Sequence, residues 1–484
     1  MKDGDAERIF YPTSIAASVI MSSFLRVSAI TLTLSTATYL LYISSTRQPN
    51  LPKTKKHIQK TIAKVETQDW VNLKSTFILP IRLFLTESHL EKGWNIVYKS
   101  FGTIERVGDP IITPGWLLTT VKVPLKLQHA DFALQLQMTS GGSLVGFHFT
   151  GLGNGWKAPS YAPDKPGALE LESDIILGQG RFKVGATLCL PQNPSLAPGS
   201  QGEGSSKFPC AIFLAGSGPC DRDSTIGETK PLKDLALGLS RHGIASIRFD
   251  KVTHTHGKAF RNKKNITLTD EYIPHALDAI KQAQNHTNIE PSQIFILGHS
   301  LGAVVAPMLA SMDLDPLVAG CIIMAGPAEP IYKSYIRQLR YIESLDGPES
   351  LYAGKQIEDA CAKAAMADSE SLSLSTAANK LPFGIGPAYW LDYRRFDPLG
   401  TLAGLNCPAL IMHGGRDYQV VRDDYRQWCT ALDGRGIVGF RFYEGLNHLF
   451  VSGTGVSTPL EYSVQGNVDE RVVVDIAGWI LDAC

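Results

Sequence analysis

The sequence predicts an α/β protein: a mostly parallel sheet with a helical cap, preceded by a small α+β unit and an N-terminal hydrophobic segment. Three observations carry that expectation. From Cys210 onward, apolar strand-like runs alternate with amphipathic helical ones, the pattern of a parallel sheet covered on both faces. Before residue 150, helical spacing gives way to short alternating strands, the pattern of a separate α+β unit. Residues 27–43, "VSAITLTLSTATYLLYI", carry no charge and lie between Arg26 and Arg47. A chain of 484 residues also exceeds one compact domain.

The expected units run as follows. Residues 1–50 form a tail whose segment 27–43 sits at the lower length limit for a membrane-spanning helix. A single-pass anchor is the expectation; a cleaved secretory signal is the alternative, although no small-x-small cleavage site follows. Residues 54–150 form the small α+β unit. Ile58, Ile62, Val65 and Trp70 fall at helical spacing, and 79–100 reads as one further helix. Strands follow at "TIERVGD", "WLLTTVKVPLKL", "FALQLQMT" and "LVGFHFTG", with a turn at Ser140-Gly141-Gly142. His129 and His148 are expected to be exposed or packed residues rather than a catalytic pair. Residues 151–209 read as a linker, with a hairpin at 170–190 and a Pro/Gly/Ser-rich loop after it.

Residues 210–484 form the larger unit. Strands are expected at "CAIFLA", "IASIRF", "QIFILG", "VAGCIIMAG", "PALIMHG" and "GFRFYEG", with helices at 230–243, 270–285, from Leu301, 420–432 and 468–482. The mostly helical stretch at about 328–405 would be the cap. Its aromatic run "PFGIGPAYWLDY" suits an apolar substrate, but equally a packed cap interior.

Composition excludes some functions. Basic and acidic residues balance at 46 each, so no charge excess points to nucleic acid. The eight cysteines lack CxxC pairs or histidines at ligand spacing, which argues against zinc and against a disulfide scaffold. No cofactor is expected. The oligomeric state is not legible.

The chemistry concentrates at strand ends. Gly298-His299-Ser300-Leu301-Gly302 is a G-x-S-x-G sequence with a strand before it and a helix after it. Such a serine sits on a tight turn, with glycines two residues away that let backbone approach, and its hydroxyl stands above the sheet. A serine hydroxyl needs a base, and the base needs an orienting acid. Downstream only His413 and His448 occur. His413 lies within a strand and is expected to be structural, whereas His448 stands in a loop after one. Asp417 follows a strand end and is the expected acid. Asp392, Asp397, Asp423 and Asp424 compete, but none follows directly on a strand end, and replacing Asp423 or Asp424 is expected to be nearly silent. Two backbone N–H groups should face the oxyanion, one from Leu301 and one from "FLAGSGPCDRD", at Ser217. Asp221, Arg222, Asp223, Asp250 and Lys251 either contact substrate or form a structural network.

With "GSGPCDRDSTIGETKPLKDLALGLSRHGIASIRFDK", "GHSLGA", "MAGPAEP", "HGGRDYQV" and "GLNHLF" in view, the chain resembles the α/β-hydrolase superfamily. It is most similar to the dienelactone-hydrolase and prolyl-oligopeptidase-like esterases, whose bacterial members carry a small N-terminal domain of cystatin-like or nuclear-transport-factor-like shape. The resemblance covers about residues 55–484. It implies Ser300 as nucleophile, Asp417 as acid, His448 as base, and Leu301 and Ser217 as oxyanion donors. One departure concerns the loop's anchoring: many relatives have His-Gly before the oxyanion turn, where this chain has Ala215-Gly216. The leading expectation is a serine hydrolase acting on a small carboxylic ester. The alternatives are an acyltransferase, thioesterase or peptidase sharing its acyl-enzyme, or a non-catalytic scaffold retaining the fold.

Overall fold

The computed structural model describes residues 51–115, 117–163, 172–191, 207–261, 265–346 and 354–484. The hydrophobic segment 27–43 lies outside them. Among the described residues, no helix is long and apolar enough to cross a membrane.

The first unit begins with helices Leu51–Glu66, Trp70–Ser75, Leu79–Arg82 and Glu87–Phe101. The single helix expected over 79–100 is therefore two. Thr86 supplies the reason: its hydroxyl accepts from the His89 N–H, and the His89 side chain accepts from the Thr86 N–H, so a new helix is capped there. Five strands follow: β1 (Ile104–Val107), β2 (Ile111–Thr113), β3 (Thr119–Leu127), β4 (Asp131–Met138) and β5 (Leu144–Thr150). They pair antiparallel in the order β1-β3-β4-β5, with β2 also on β3. Strand β3 buries every second residue, placing Val121, Val123, Leu125 and Leu127 against Trp94, Val97 and Phe101 of the helix.

The second sheet has eight strands: β6 (Glu172–Leu177), β7 (Val184–Cys189), β8 (Phe208–Leu214), β9 (Ala245–Phe249), β10 (Ile289–His299), β11 (Gly320–Met324), β12 (Ala409–Gly414) and β13 (Val438–Tyr443). Their order is β13-β12-β11-β10-β8-β9-β7-β6, parallel from β13 through β9 and antiparallel beyond. This corrects the boundary expected at residue 210. The expected hairpin at 170–190 is present and forms the antiparallel edge of this sheet, because β7 continues the ladder through Ala186–Phe249 and Leu188–Ile247 pairs.

The central strands alternate between two cores. Cys210, Ile212 and Leu214 of β8 face one, with Tyr272, Ala276 and Val304 from helices Leu268–Gln284 and Leu301–Ala310. Ala211 and Phe213 face the other, with Leu235 and Val472 from helices Pro231–Arg241 and Glu470–Ala483. Both faces being covered explains why β8 and β9 are buried at every position and read as continuous apolar runs. Helices Ile331–Asp346, Lys355–Asp368, Pro387–Arg394 and Pro398–Gly404 fill the stretch between β11 and β12. In it Tyr389, Trp390 and Tyr393 are buried in the main core cluster, so these aromatics pack the cap interior.

The order β10-β8-β9 decides where a ligand fits. From β8 the chain moves to β9 on one side, then returns across β8 to β10 on the other. Loops leaving β8 and β10 thus diverge, opening a crevice at their carboxyl ends.

Candidate active site

Ser300 follows β10 at that crevice and forms the N-cap of helix Leu301–Ala310. Its φ of 55° and ψ of −119° place it in a region that non-glycine residues rarely occupy. The turn is held by the Ser300 N–H donating to the Met324 carbonyl at 2.9 Å. The flanking glycines are required by contact. A Cβ on Gly298 would lie 2.2 Å from the Gly302 carbonyl oxygen, and one on Gly302 would lie 2.2 Å from that of Leu214. Both obstacles are backbone and cannot swing aside.

His448 and Asp417 arrive from the ends of β13 and β12. The His448 Nδ1–H donates to Asp417 Oδ2 at 2.6 Å, both side chains being fully buried. The second carboxylate oxygen of Asp417 accepts from the N–H groups of Gln419 and Val420 at 2.8 and 2.9 Å. Burial alone would push the Asp417 carboxyl up, but the facing His448 imidazole and the hydrogen bonds from it and from the turn backbone outweigh it, and the carboxyl sits below its ordinary range. With Nδ1 committed as a donor, the neutral ring carries its lone pair on Nε2, and that atom makes no hydrogen bond within the described protein. The histidine loop is shaped by Asn447, whose side-chain oxygen accepts from Leu449 and Val451 N–H groups at 2.9 and 3.1 Å.

His299 joins the two halves, a role that sequence reasoning missed because it occupies a variable position of the serine motif. Its Nε2–H donates to the His448 carbonyl at 2.8 Å, and the two rings lie 4.7 Å apart. Burial, and secondarily His448, push its imidazole down to about 3, so it stays neutral. The residue before the serine thus braces the loop bearing the histidine.

The loop after β8 lies over the serine: a Cβ on Gly216 would stand 3.2 Å from the Ser300 Cβ. Ser217 is buried within it, and its carbonyl accepts the Cys220 thiol at 3.3 Å. Leu301 begins the helix beside Ser300, where unpaired N–H groups and the helix dipole favour negative charge.

The remaining candidates are otherwise engaged. His413 is buried between Tyr425 and Phe442, with ring centroids 5.6 and 5.8 Å away. His129 is exposed, and His148 is half-buried on β5. Arg222 pairs with Asp250 and Asp174, Asp223 with Arg248 and Lys230, and Asp221 accepts from Thr225. Asp392 accepts from Thr269 of helix Leu268–Gln284, Asp397 caps helix Pro398–Gly404, and Asp423 pairs with Arg426 at the surface. Among the described residues no cluster of His, Cys, Asp or Glu suits a metal ion.

Asp424 has a structural role that Asp423 lacks. It is fully buried and accepts from the N–H groups of Ala328 and Val421 at 3.0 Å each, and from Arg337 at 2.7 Å. It ties the start of the cap to helix Arg422–Ala431. Asp424→Asn is therefore expected to cost about 2–3 kcal/mol of stability, read as a lower urea midpoint, while Asp423→Asn leaves the midpoint unchanged.

The model of the alpha/beta hydrolase family matches residues 212–456. Esterase EstD of Thermotoga maritima is 34% identical over 279 residues, 58% of this chain and 63% of that esterase. The match thus spans less than two thirds of the esterase's length. Among solved structures, a puromycin-hydrolyzing peptidase of Mycobacterium tuberculosis is similar at 15% identity and a TM-score of 0.41, over 75% of this chain and 46% of that one. Est1E from Butyrivibrio proteoclasticus is similar at 15% identity and a TM-score of 0.40, over 64% of this chain and 98% of that one.

Proposed function

The chain belongs to the alpha/beta hydrolase family, and from that premise we propose that it is a serine hydrolase cleaving small carboxylic esters. One observation carries the reading: a buried imidazole held by a buried carboxylate at 2.6 Å, with its outer nitrogen otherwise unengaged. In the proposed cycle, His448 Nε2 takes the Ser300 hydroxyl proton as Oγ attacks the ester carbonyl. The tetrahedral oxyanion is held by the N–H groups of Leu301 and Ser217. Its collapse breaks the bond to the alkoxy oxygen, which leaves with the proton from His448. Water, deprotonated by the same nitrogen, then releases the acid and restores Ser300. Asp417 fixes the ring's tautomer and stabilises the imidazolium. The similarity to esterase EstD supports an ester rather than an amide substrate. Turnover of esters of graded acyl length, compared between the wild type and Ser300→Ala, tests the reading. A folded wild type that cleaves none of them, and takes no serine-directed probe, overturns it.

We also propose that residues 27–43 hold the protein to a membrane, on the strength of their uncharged run alone. The full chain should stay with the membrane fraction through a carbonate wash, and a form lacking residues 1–50 should not. Equal solubility of the two overturns the proposal.

A further inference from the structure

Beneath the loop after β8 lies a buried polar cluster with no part in the proton transfers above. Lys251, just past the end of β9, is 1% exposed, and Glu271, on helix Leu268–Gln284, is 3% exposed. The Lys251 ammonium has three protons and three partners. It meets Glu271 Oε1 at 3.0 Å, the Tyr272 hydroxyl at 2.8 Å and the Gly216 carbonyl at 3.0 Å. The Tyr272 hydroxyl lies 2.9 Å from the same Gly216 carbonyl and 3.0 Å from that of Ala215. Glu271 is in turn fixed by the hydroxyls of Thr253 at 2.9 Å and Tyr389, from the cap, at 3.0 Å. The Lys251 N–H closes the arrangement by donating to the Cys220 carbonyl at 3.0 Å.

Peptide geometry gives this cluster a consequence for the site. In a trans peptide the C=O of one residue and the N–H of the next point in opposite directions. Pinning the Gly216 carbonyl toward Lys251 therefore turns the Ser217 N–H away from it. Gly216 itself lies against Ser300. We infer that Lys251, aided by Tyr272 and Glu271, is a positioning residue that sets the Gly216–Ser217 peptide so that the Ser217 N–H faces the oxyanion. Flipping that peptide would strip a buried ammonium of one of its acceptors, so the donor is preorganised rather than recruited. Here the loop is anchored through its main-chain carbonyls, which needs no side chain at 215. This inference rests on the serine-hydrolase reading of the same site.

The test measures kcat and KM on a short-chain 4-nitrophenyl ester, and inhibition by a trifluoromethyl ketone, whose adduct with the serine carries an oxyanion. Removing one oxyanion donor typically costs about 10²–10³ in kcat. Lys251→Met is expected to lower kcat by about 10–100-fold, and Tyr272→Phe by a smaller factor. KM should stay within about twofold, and ketone inhibition should weaken in step with kcat, because only the charged state uses the donor. If Lys251→Met does not fold, Tyr272→Phe decides, since it removes only one hydroxyl. Folded variants with wild-type kcat, or a loss confined to KM, overturn the positioning role while leaving the serine-hydrolase reading intact. A wild type inert to both ester and ketone overturns that reading and this inference together.

Discussion

Ser300→Ala is expected to lower ester turnover by about 10⁶-fold, to the residual rate that binding and oxyanion donors alone provide. The same change should abolish stoichiometric labelling by a fluorophosphonate, whose tetrahedral phosphorus adduct imitates the acylation intermediate. Mass mapping of the wild type should find the adduct on the peptide containing "GHSLG". Labelling should also fall steeply in His448→Ala, because an unassisted serine hydroxyl is a poor nucleophile near neutral pH. Ser300→Ala should not unfold the protein. Ser300 contributes one small side chain, and its turn is held by backbone, through the Met324 carbonyl and the Gly298–Gly302 approach. A Ser300→Ala protein that still turns over esters would remove the serine from the mechanism, whatever the fold.

Asp417→Asn is the second large effect, about three to four orders of magnitude in kcat. The carboxylate accepts the His448 Nδ1–H, which keeps the lone pair on Nε2 for the serine proton. An amide there can donate instead of accept, and then favours the opposite tautomer. It also forfeits the charge that stabilises the imidazolium. The two backbone N–H groups on the other oxygen can still be accepted by the amide carbonyl, so the turn at Gln419 and Val420 should survive. Acid denaturation supplies a further check. A carboxyl held below its ordinary range contributes stability above that range and loses it as pH falls through the folded value. Asp417→Asn should lack that component. Near-normal turnover by the variant would mean that another carboxylate serves His448. The neighbouring acids are engaged elsewhere: Asp423 pairs at the surface and Asp424 is spent on Arg337 and two backbone groups.

Much of this arrangement was legible without coordinates because its signals are local. A serine between glycines, at a strand-to-helix junction, carries its own steric explanation. The two downstream histidines could be separated by whether each sat within a strand or after one. What was not legible arises from pairing between distant segments. The hairpin at 172–189 was legible as a hairpin, but its place in the larger sheet depends on its pairing with β9. Asp424 is set aside as the triad acid by its distance from a strand end, and nothing in its sequence neighbours shows that it is buried. Its burial comes from Arg337, some ninety positions earlier in the chain. The helix break near Thr86 is the exception, a local capping signal that the apolar periodicity of 79–100 obscured.

By itself the sequence determined the alternation that makes a covered parallel sheet, the strained turn at Ser300, and the expectation that Asp417 and His448 pair after their strands. The first two follow from side-chain period and glycine sterics, which act over a few residues, and the third from the position of each residue relative to its own strand. Only the tertiary structure decided what lies beneath and beside those groups. His299 bracing the His448 loop, and Lys251 holding the Gly216 carbonyl, join residues 149 and 35 positions apart. A buried donor must find an acceptor wherever the fold puts one. Which acceptor it finds depends on strand order and helix packing, and no local pattern in the chain encodes that.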